Sequence, residues 1–220
     1  MNEHSFMADF AMVAVRTKKK AHAAGQADDK RARILDAALE LFEASGFDGV
    51  AVPEIAIKAG VATGTIYRYF SDKEALVNAL YRQWKEAYNQ VVLAPPPPGQ
   101  PPHALFARYW HRMTLFARTY PRAVRFMDLH HHAPYLDAQS RAVAGAYAQT
   151  AQDFVVAARA AGAIRDLEPA MVVALMWGAA AGLAKFAQTD AITFDAKTAA
   201  DMGEALWRAI AADRSSQPAS

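Results

Sequence analysis

The chain has no cysteine among its 220 residues, and that absence excludes more than any other feature. Disulfide scaffolds, thiol nucleophiles, zinc fingers and iron–sulfur clusters all need the thiol. An excess of one charge is missing too: 24 Lys+Arg stand against 22 Asp+Glu, a formal net of +2. No global field therefore marks a nucleic-acid or membrane partner, and any such site must be local. Residues 1–72 alone hold 9 basic and 10 acidic side chains. The longest uncharged apolar run, Ala170 to Ala184, stops after 15 residues at Lys185. That is short of the roughly 20 needed to span a bilayer, so a buried helix is expected there and no membrane partner. Phe10 to Val15 is too short for a leader's apolar core, and Lys18-Lys19-Lys20 follows it instead of preceding it. A cytoplasmic protein is expected.

Catalytic equipment is equally thin. Residues 95–220 contain only Glu168 and Glu204 as glutamates, with no Glu-x-x-His, whereas a di-iron bundle centre needs four such acids. No His-Glu-x-x-His, Gly-x-Gly-x-x-Gly or phosphate-binding loop occurs anywhere. The chain is therefore read as no enzyme, with no cofactor. His130-His131-His132 does not change this, because neighbours on a helix point about 100° apart and cannot close on one ion. No metal site is expected, and one of the three serves better as a polar handle in an internal cavity.

What the chain does have is a 53% apolar share, ample for a core, and helical periodicity from Asp28 on. Ile34, Leu35, Ala38, Leu41 and Phe42 recur at i, i+1, i+4, i+7, i+8, with Gly46 placed to end the helix. Short helices are expected over Pro53–Ala59 and Thr63–Phe70. Ser71-Asp72-Lys73-Glu74 reads as a capping box, Ser71 at the N-cap, opening a helix to about Leu93. Pro95–Pro98 and Gly99 end it. Further helices are expected over His103–Arg118, Pro121–His132, Asp137–Ala161, Glu168–Gln188 and Asp195–Ala212. No alternating run suggests a sheet, so the fold class is all-α.

The informative stretch is Ile55 to Lys73. Two short helices that cross closely need small residues at the corner, and Ala56 and Gly60 stand four apart there. Ile55, Ala59, Val61, Ile66 and Phe70 supply the inward positions. Thr63, Thr65, Tyr67, Arg68 and Tyr69 are left outward, a set of hydroxyls, phenols and a guanidinium suited to phosphates and major-groove edges. Gly64 leaves the backbone amides open to a phosphate. Lys73, in the next helix's first turn, is set to pair with another.

These residues resemble the DNA-binding domain of the TetR family of transcriptional regulators. The likeness runs through Arg33-Ile34-Leu35-Asp36-Ala37-Ala38, Leu41-Phe42, Gly46-Phe47, Ile55-Ala56, Ala59-Gly60-Val61, Gly64 to Phe70 and Lys73-Glu74-Ala75-Leu76. It implies a three-helix DNA-binding head with a helix-turn-helix and a larger helical body that binds an effector and dimerises. By position, Thr63, Gly64, Tyr67 and Arg68 match base-contacting residues, and Thr65, Tyr69 and Lys73 match phosphate-holding ones. Two departures stand out: Val50-Ala51 and Ala62 occupy places where the family usually carries a capping Thr or Ser. Weaker backbone anchoring than usual is expected from their loss.

The expected division is a tail over 1–27, a head over 28–76, a body over 77–213 and a tail over 214–220. Lys18-Lys19-Lys20 is read as part of a solvated tail, with a minor-groove arm as the alternative. Within the body, Trp110, Phe126, His130, Tyr147 and Trp177 are the residues expected to line a pocket for a small hydrophobic or aromatic effector. Gly178 and Gly182, four apart, with Met202, Leu206 and Ile210 on the last helix, are expected to form a four-helix homodimer interface. The function expected is a ligand-responsive repressor released from a palindromic double-stranded DNA operator; the alternative is a regulator controlled by a protein partner without an effector.

Overall fold

The computed structural model describes residues 26–130, 134–189 and 191–212. Residues 1–25 of the expected N-terminal tail, including Lys18-Lys19-Lys20, and the expected C-terminal tail lie outside the described residues, as do His131 and His132; Gln26 and Ala27 already belong to the first helix. Nine α-helices occur among the described residues: α1 Gln26–Ser45, α2 Val52–Ala59, α3 Thr63–Tyr69, α4 Lys73–Val92, α5 Pro102–Thr119, α6 Pro121–His130, α7 Ala138–Ala160, α8 Pro169–Phe186 and α9 Ala196–Ile210. The chain is all-helical apart from one isolated antiparallel bridge, Ile164 to Ala211.

The helix ends follow local chemistry. Gly46, at φ 68°, closes α1 by donating its amide to the Phe42 carbonyl at 2.9 Å; only glycine takes such a left-handed angle without strain. α5 and α8 each open with proline in the first turn, where no amide partner is needed. Asp195 caps α9 by accepting from the Thr198 amide at 2.8 Å. One cap differs from expectation. α4 begins at Lys73, and Asp72, not Ser71, is its N-cap: Asp72 Oδ1 accepts from the Ala75 amide at 2.7 Å. The Ser71 hydroxyl turns to donate to Asp72 Oδ2 at 2.9 Å. Those bonds favour the carboxylate, so the Asp72 pKa is lowered, first by Ala75 and then by Ser71. A charged acceptor at the helix's positive end outcompetes a neighbouring hydroxyl.

The chain packs as two compact units, one running up to Val91 and adding Arg122–Val143, the other made of Val92–Pro121 and the residues from Ala144 on. The first unit thus carries α4 and α6 together with α1, α2 and α3. In the first unit Ile34, Leu35, Phe42, Ile55, Ile66, Leu76, Leu80 and Tyr81 are fully buried. α6 lies on α1 through Phe42, whose ring centroid is 6.5 Å from that of Phe126 and 6.1 Å from that of His130. Arg125 Nε meets Glu43 Oε1 at 2.5 Å and Arg122 meets Glu40 at 3.7 Å. Buried Asn78 on α4 donates to the Tyr135 carbonyl and accepts from the Asp137 amide and the Ser140 hydroxyl, which fastens the α6–α7 connection.

The second unit is built around α5, with Phe106, Trp110, Met113 and Phe116 buried. α9 runs antiparallel to it, since Trp110 donates to the Ala199 carbonyl while His103 meets Glu204 farther along. α8 departs from the buried helix expected. With the 3₁₀ turn that follows it spans 21 residues, Pro169–Thr189, and by length and composition is the one helix among the described residues able to cross a membrane. It is a partly buried core helix, with 22% of its apolar window covered. Val172, Met176, Ala180 and Leu183 form a single buried stripe, while Met171, Leu175 and Phe186 stand exposed.

Candidate nucleic-acid interface

α2 and α3 meet at a corner that the sequence dictates residue by residue. Buried Ala56 and Ala59 let the helices approach. Gly60, at φ 65°, turns the chain, with the Val61 amide bonded to the Ala56 carbonyl at 3.0 Å. A Cβ on Gly60 would meet only Arg33 Nη1, at 3.6 Å, so the backbone angle and not the space requires glycine. On α3, Ile66 is buried, and Phe70 just after its end joins the core. That orientation leaves Gly64, Tyr67 and Arg68 exposed and Thr63, Thr65 and Tyr69 half-buried. A Cβ on Gly64 would meet nothing within 4 Å, so its backbone is open to an incoming ligand. Arg68 makes no ion pair among the described residues, so its fork is free to grip a guanine edge or a phosphate.

Both helices start without a side-chain cap. Ala51 and Ala62 hold extended N-cap backbone, at ψ 145° and 144°; their carbonyls accept from the Glu54 amide at 3.0 Å and the Thr65 amide at 2.8 Å, but neither has a side chain that can cap the first turn. The amides that a capping side chain would have taken are open to water or to a phosphate.

Lys73 is placed differently from the phosphate pairing expected of it. Its half-buried side chain turns inward, and Nζ donates to the Phe47 carbonyl at 2.8 Å and the Val50 carbonyl at 3.0 Å. It also sits 4.1 Å above the Phe47 ring centre. The ammonium thus ties the α1–α2 turn to the start of α4, directly ahead of uncapped α2. Sequence reading missed a second cation, Arg31, which lies 5.5 Å over the Phe70 ring. The Lys30-Arg31-x-Arg33 run was the available signal.

The five residues expected at an effector pocket are divided between the two units. Trp110 lines a cavity of about 230 Å³ between α5 and α9, with Phe106, Thr114, Arg118, Ala200 and Glu204 among its other walls. Tyr147 is half-buried and its hydroxyl approaches Met113 Sδ at 3.6 Å. Trp177 is half-buried on α8. Phe126 and His130 belong to the first unit, buried against Phe42, and not to this cavity. His130 Nδ1 is hydrogen-bonded to the Tyr135 hydroxyl. Burial lowers its pKa, opposed in part by the Phe42 backbone, so the ring is neutral at physiological pH. Among the described residues no group of His, Asp and Glu is placed to hold a metal.

Of the residues expected at a dimer interface, Gly178 is exposed and Gly182 half-buried, both on the stripe of α8 that carries Met171, Leu175 and Phe186. A Cβ on either glycine would meet nothing within 4 Å, so the chain itself does not fill the space they leave. Met202 and Leu206 are half-buried on α9. Ile210 is buried in its own unit, where its carbonyl accepts from the Arg165 amide at 2.9 Å.

Comparison with known proteins gives matches at both ends. Residues 34–80 match the profile of bacterial regulatory proteins of the tetR family, and residues 98–212 match a tetracyclin repressor-like C-terminal domain. The chain is 34% identical over 108 residues to the HTH-type transcriptional repressor KstR of Rhodococcus jostii, 46% of this chain and 50% of that protein. It is 38% identical over 61 residues to the regulator UidR of Escherichia coli, 28% of this chain and 31% of that one. The matches thus span half the length of these curated relatives or less. Among solved structures, a TetR family regulator from Marinobacter aquaeolei VT8 superposes with a TM-score of 0.75 at 20% identity, covering 84% of this chain and 97% of that one. A TetR family protein from Vibrio parahaemolyticus gives 0.67 at 24%, covering 84% and 99%. At these identities the structures speak for the fold alone.

Proposed function

The chain belongs to the TetR family of bacterial regulatory proteins, and on that premise we propose that it is a homodimeric cytoplasmic repressor released from a palindromic DNA operator by a small hydrophobic or aromatic effector. The family is one of transcription regulators, not enzymes. The observation that carries the reading is the outward set on α3: Gly64, Tyr67 and Arg68 exposed beside Thr63, Thr65 and Tyr69, while Ile66 and Phe70 lock the helix to its core. Arg68, Tyr67, Thr63 and Gly64 read bases; Thr65 and Tyr69 hold phosphates; Lys73 positions the turn behind them. Dimerisation rests on the exposed α8 stripe from Met171 to Phe186, with Met202 and Leu206 beside it. An apolar stripe of this length with two glycines fits a second helix at close range. Two heads related by a two-fold axis then require two half-sites about one helical turn apart.

Selection of bound sites from random duplexes tests the claim directly. A palindromic consensus is expected, and Arg68→Ala is expected to lose it while sedimenting as a dimer. Absence of any enriched palindrome refutes the reading, and a monomer at micromolar concentration refutes the interface.

A further inference from the structure

The cavity between α5 and α9 has a chemistry that limits what can enter it. Its floor is apolar: Phe106 and Trp110 are nearly fully buried, and Gly203 permits the close approach, since a Cβ there would lie 2.4 Å from Trp110 Cδ1. The polar groups of the floor are already satisfied. The Trp110 indole donates to the Ala199 carbonyl at 2.5 Å, and the Thr114 hydroxyl to the Trp110 and His111 carbonyls at 2.9 and 3.1 Å. At the far end, Glu204 is bonded to His103 at 3.1 Å. Arg118, at the opposite end of the lining, makes no ion pair or hydrogen bond among the described residues. Asp195, whose charge acts on it, is engaged with the Thr198 amide. One planar cationic fork therefore remains at one end of an aromatic slot.

We propose that this cavity binds a small aromatic carboxylate, with Arg118 holding the carboxylate and Trp110 supporting the ring. The inference rests on reading the body as effector-binding and names the effector's chemical class. A volume of about 230 Å³ admits one substituted ring, given that a cavity of about 150 Å³ already takes benzene. A guanidinium pairs with a carboxylate through two parallel bonds, a geometry no neutral group reproduces. At 100° per residue, Ala200 and Glu204 lie on the opposite flank of α9 from Met202, so the slot is separate from the stripe assigned to dimerisation.

The test is calorimetric titration of the full chain with sodium benzoate and with benzamide, its uncharged isostere. One benzoate per chain is expected, with benzamide at least tenfold weaker. Arg118→Gln, at an exposed position, is expected to weaken benzoate about tenfold or more and to erase the preference over benzamide. Ala200→Leu, also exposed, is expected to fill the slot and weaken both. Equal binding of the two probes, or an Arg118→Gln variant that binds benzoate as the parent does, overturns the proposal. Failure of benzoate while an uncharged compound releases the operator overturns it as well but leaves the repressor reading standing. Benzoate binding with these variant effects supports the slot; if saturating benzoate then leaves operator affinity unchanged, the effector role is what fails.

Discussion

Replacing Lys73 with methionine separates two roles that the sequence alone confuses. The side chain keeps its length and loses the ammonium that donates to the Phe47 and Val50 carbonyls at 2.8 and 3.0 Å and lies 4.1 Å above the Phe47 ring. A bond from a charged donor contributes about 1.5–3 kcal/mol when buried, and a cation over a ring at a part-exposed site about 0.5–1 kcal/mol. Half-burial of Lys73 reduces all of these, and the loss expected for Lys73→Met is about 2–3 kcal/mol. For a chain of this size each 1 kcal/mol lowers Tm by about 2–4 °C, so a drop on the order of 4–12 °C is expected in DNA-free protein. Lys73→Arg should recover part of it, because a guanidinium reaches one of the two carbonyls. Thermal unfolding without DNA, followed by circular dichroism, reads the effect. A phosphate-binding lysine behaves otherwise: its loss leaves the free protein's Tm unchanged and lowers the salt slope of operator binding by about 0.9. That outcome would refute the positioning role.

Restoring the missing caps gives a complementary result. Ala51→Ser and Ala62→Ser are each expected to raise stability by about 0.5–2 kcal/mol and to steepen the salt dependence of operator binding; an unchanged Tm in both would show the first-turn amides already satisfied. His130, whose pKa is pushed below its ordinary 6.5 by burial, makes the unfolded chain take up a proton before the folded one. Stability is therefore full above about pH 6.5 and is lost as pH falls toward the lower folded value, and His130→Gln should flatten Tm against pH over that window. Lys85 is buried with its ammonium 5.3 Å from the Tyr88 ring centre, and desolvation lowers its pKa to about 8, opposed by the charge of Asp128. Below about pH 8 the buried ammonium carries a desolvation cost that Lys85→Met removes, so the Tm of the variant relative to the parent is expected to be highest near pH 7 and to fall as pH rises from 8 toward 10.5; a Tm difference independent of pH would refute this. A double-mutant cycle on the part-buried Glu43–Arg125 pair should return a coupling of about 1 kcal/mol, against at most about 0.5 for the more exposed Glu40–Arg122 pair.

The parts of this protein legible in its sequence are those that local physics decides. The ends of α1 and α2 were readable because Gly46 and Gly60 take left-handed angles, 68° and 65°, that few other residues tolerate. The inward and outward faces of α3 were readable because Ile66 and Phe70 are four apart on a short amphipathic turn. Where two residues could both do a job, adjacency hid the answer: Ser71 and Asp72 are both good caps, and the charged carboxylate took the Ala75 amide. Spacing marked Phe126, His130 and Trp110 alike as inward-facing, yet it carries no information about what an inward face meets. Phe126 and His130 face Phe42, whereas Trp110 faces Gly203. Ile210 shares a helical period with Met202 and Leu206, but the 163–165 segment covers it, and nothing in its spacing could announce that contact.

The composition of the first unit changes what control of α3 must mean physically. Tyr135, in the connection after α6, stacks on Phe47 with ring centres 4.1 Å apart. Phe47 lies under the Lys73 ammonium, and that ammonium holds the Val50 carbonyl two residues before α2. The same connection is fixed to α4 through Asn78 and through Arg82, which meets Asp137 at 2.6 Å. A sequence segment nearly ninety residues downstream of the α1–α2 turn is therefore packed into the body that carries the recognition helix, by stacking and hydrogen bonds and not by flexible tethering. A ligand alters the operator-binding population only through contacts that differ between two arrangements of the protein. With α6 and its connection bound to α1 and α4, a change in their position cannot leave the α1–α2 turn untouched without breaking the Tyr135–Phe47 stack or the Asn78 bonds. The turn that presents α2 and α3 is thus held from two sides, while α2 itself is fixed to α1 by the Lys58–Glu40 pair at 2.7 Å and by buried Ile55, Ala56 and Ala59, so a shift imposed on the turn is passed to α2 as a unit.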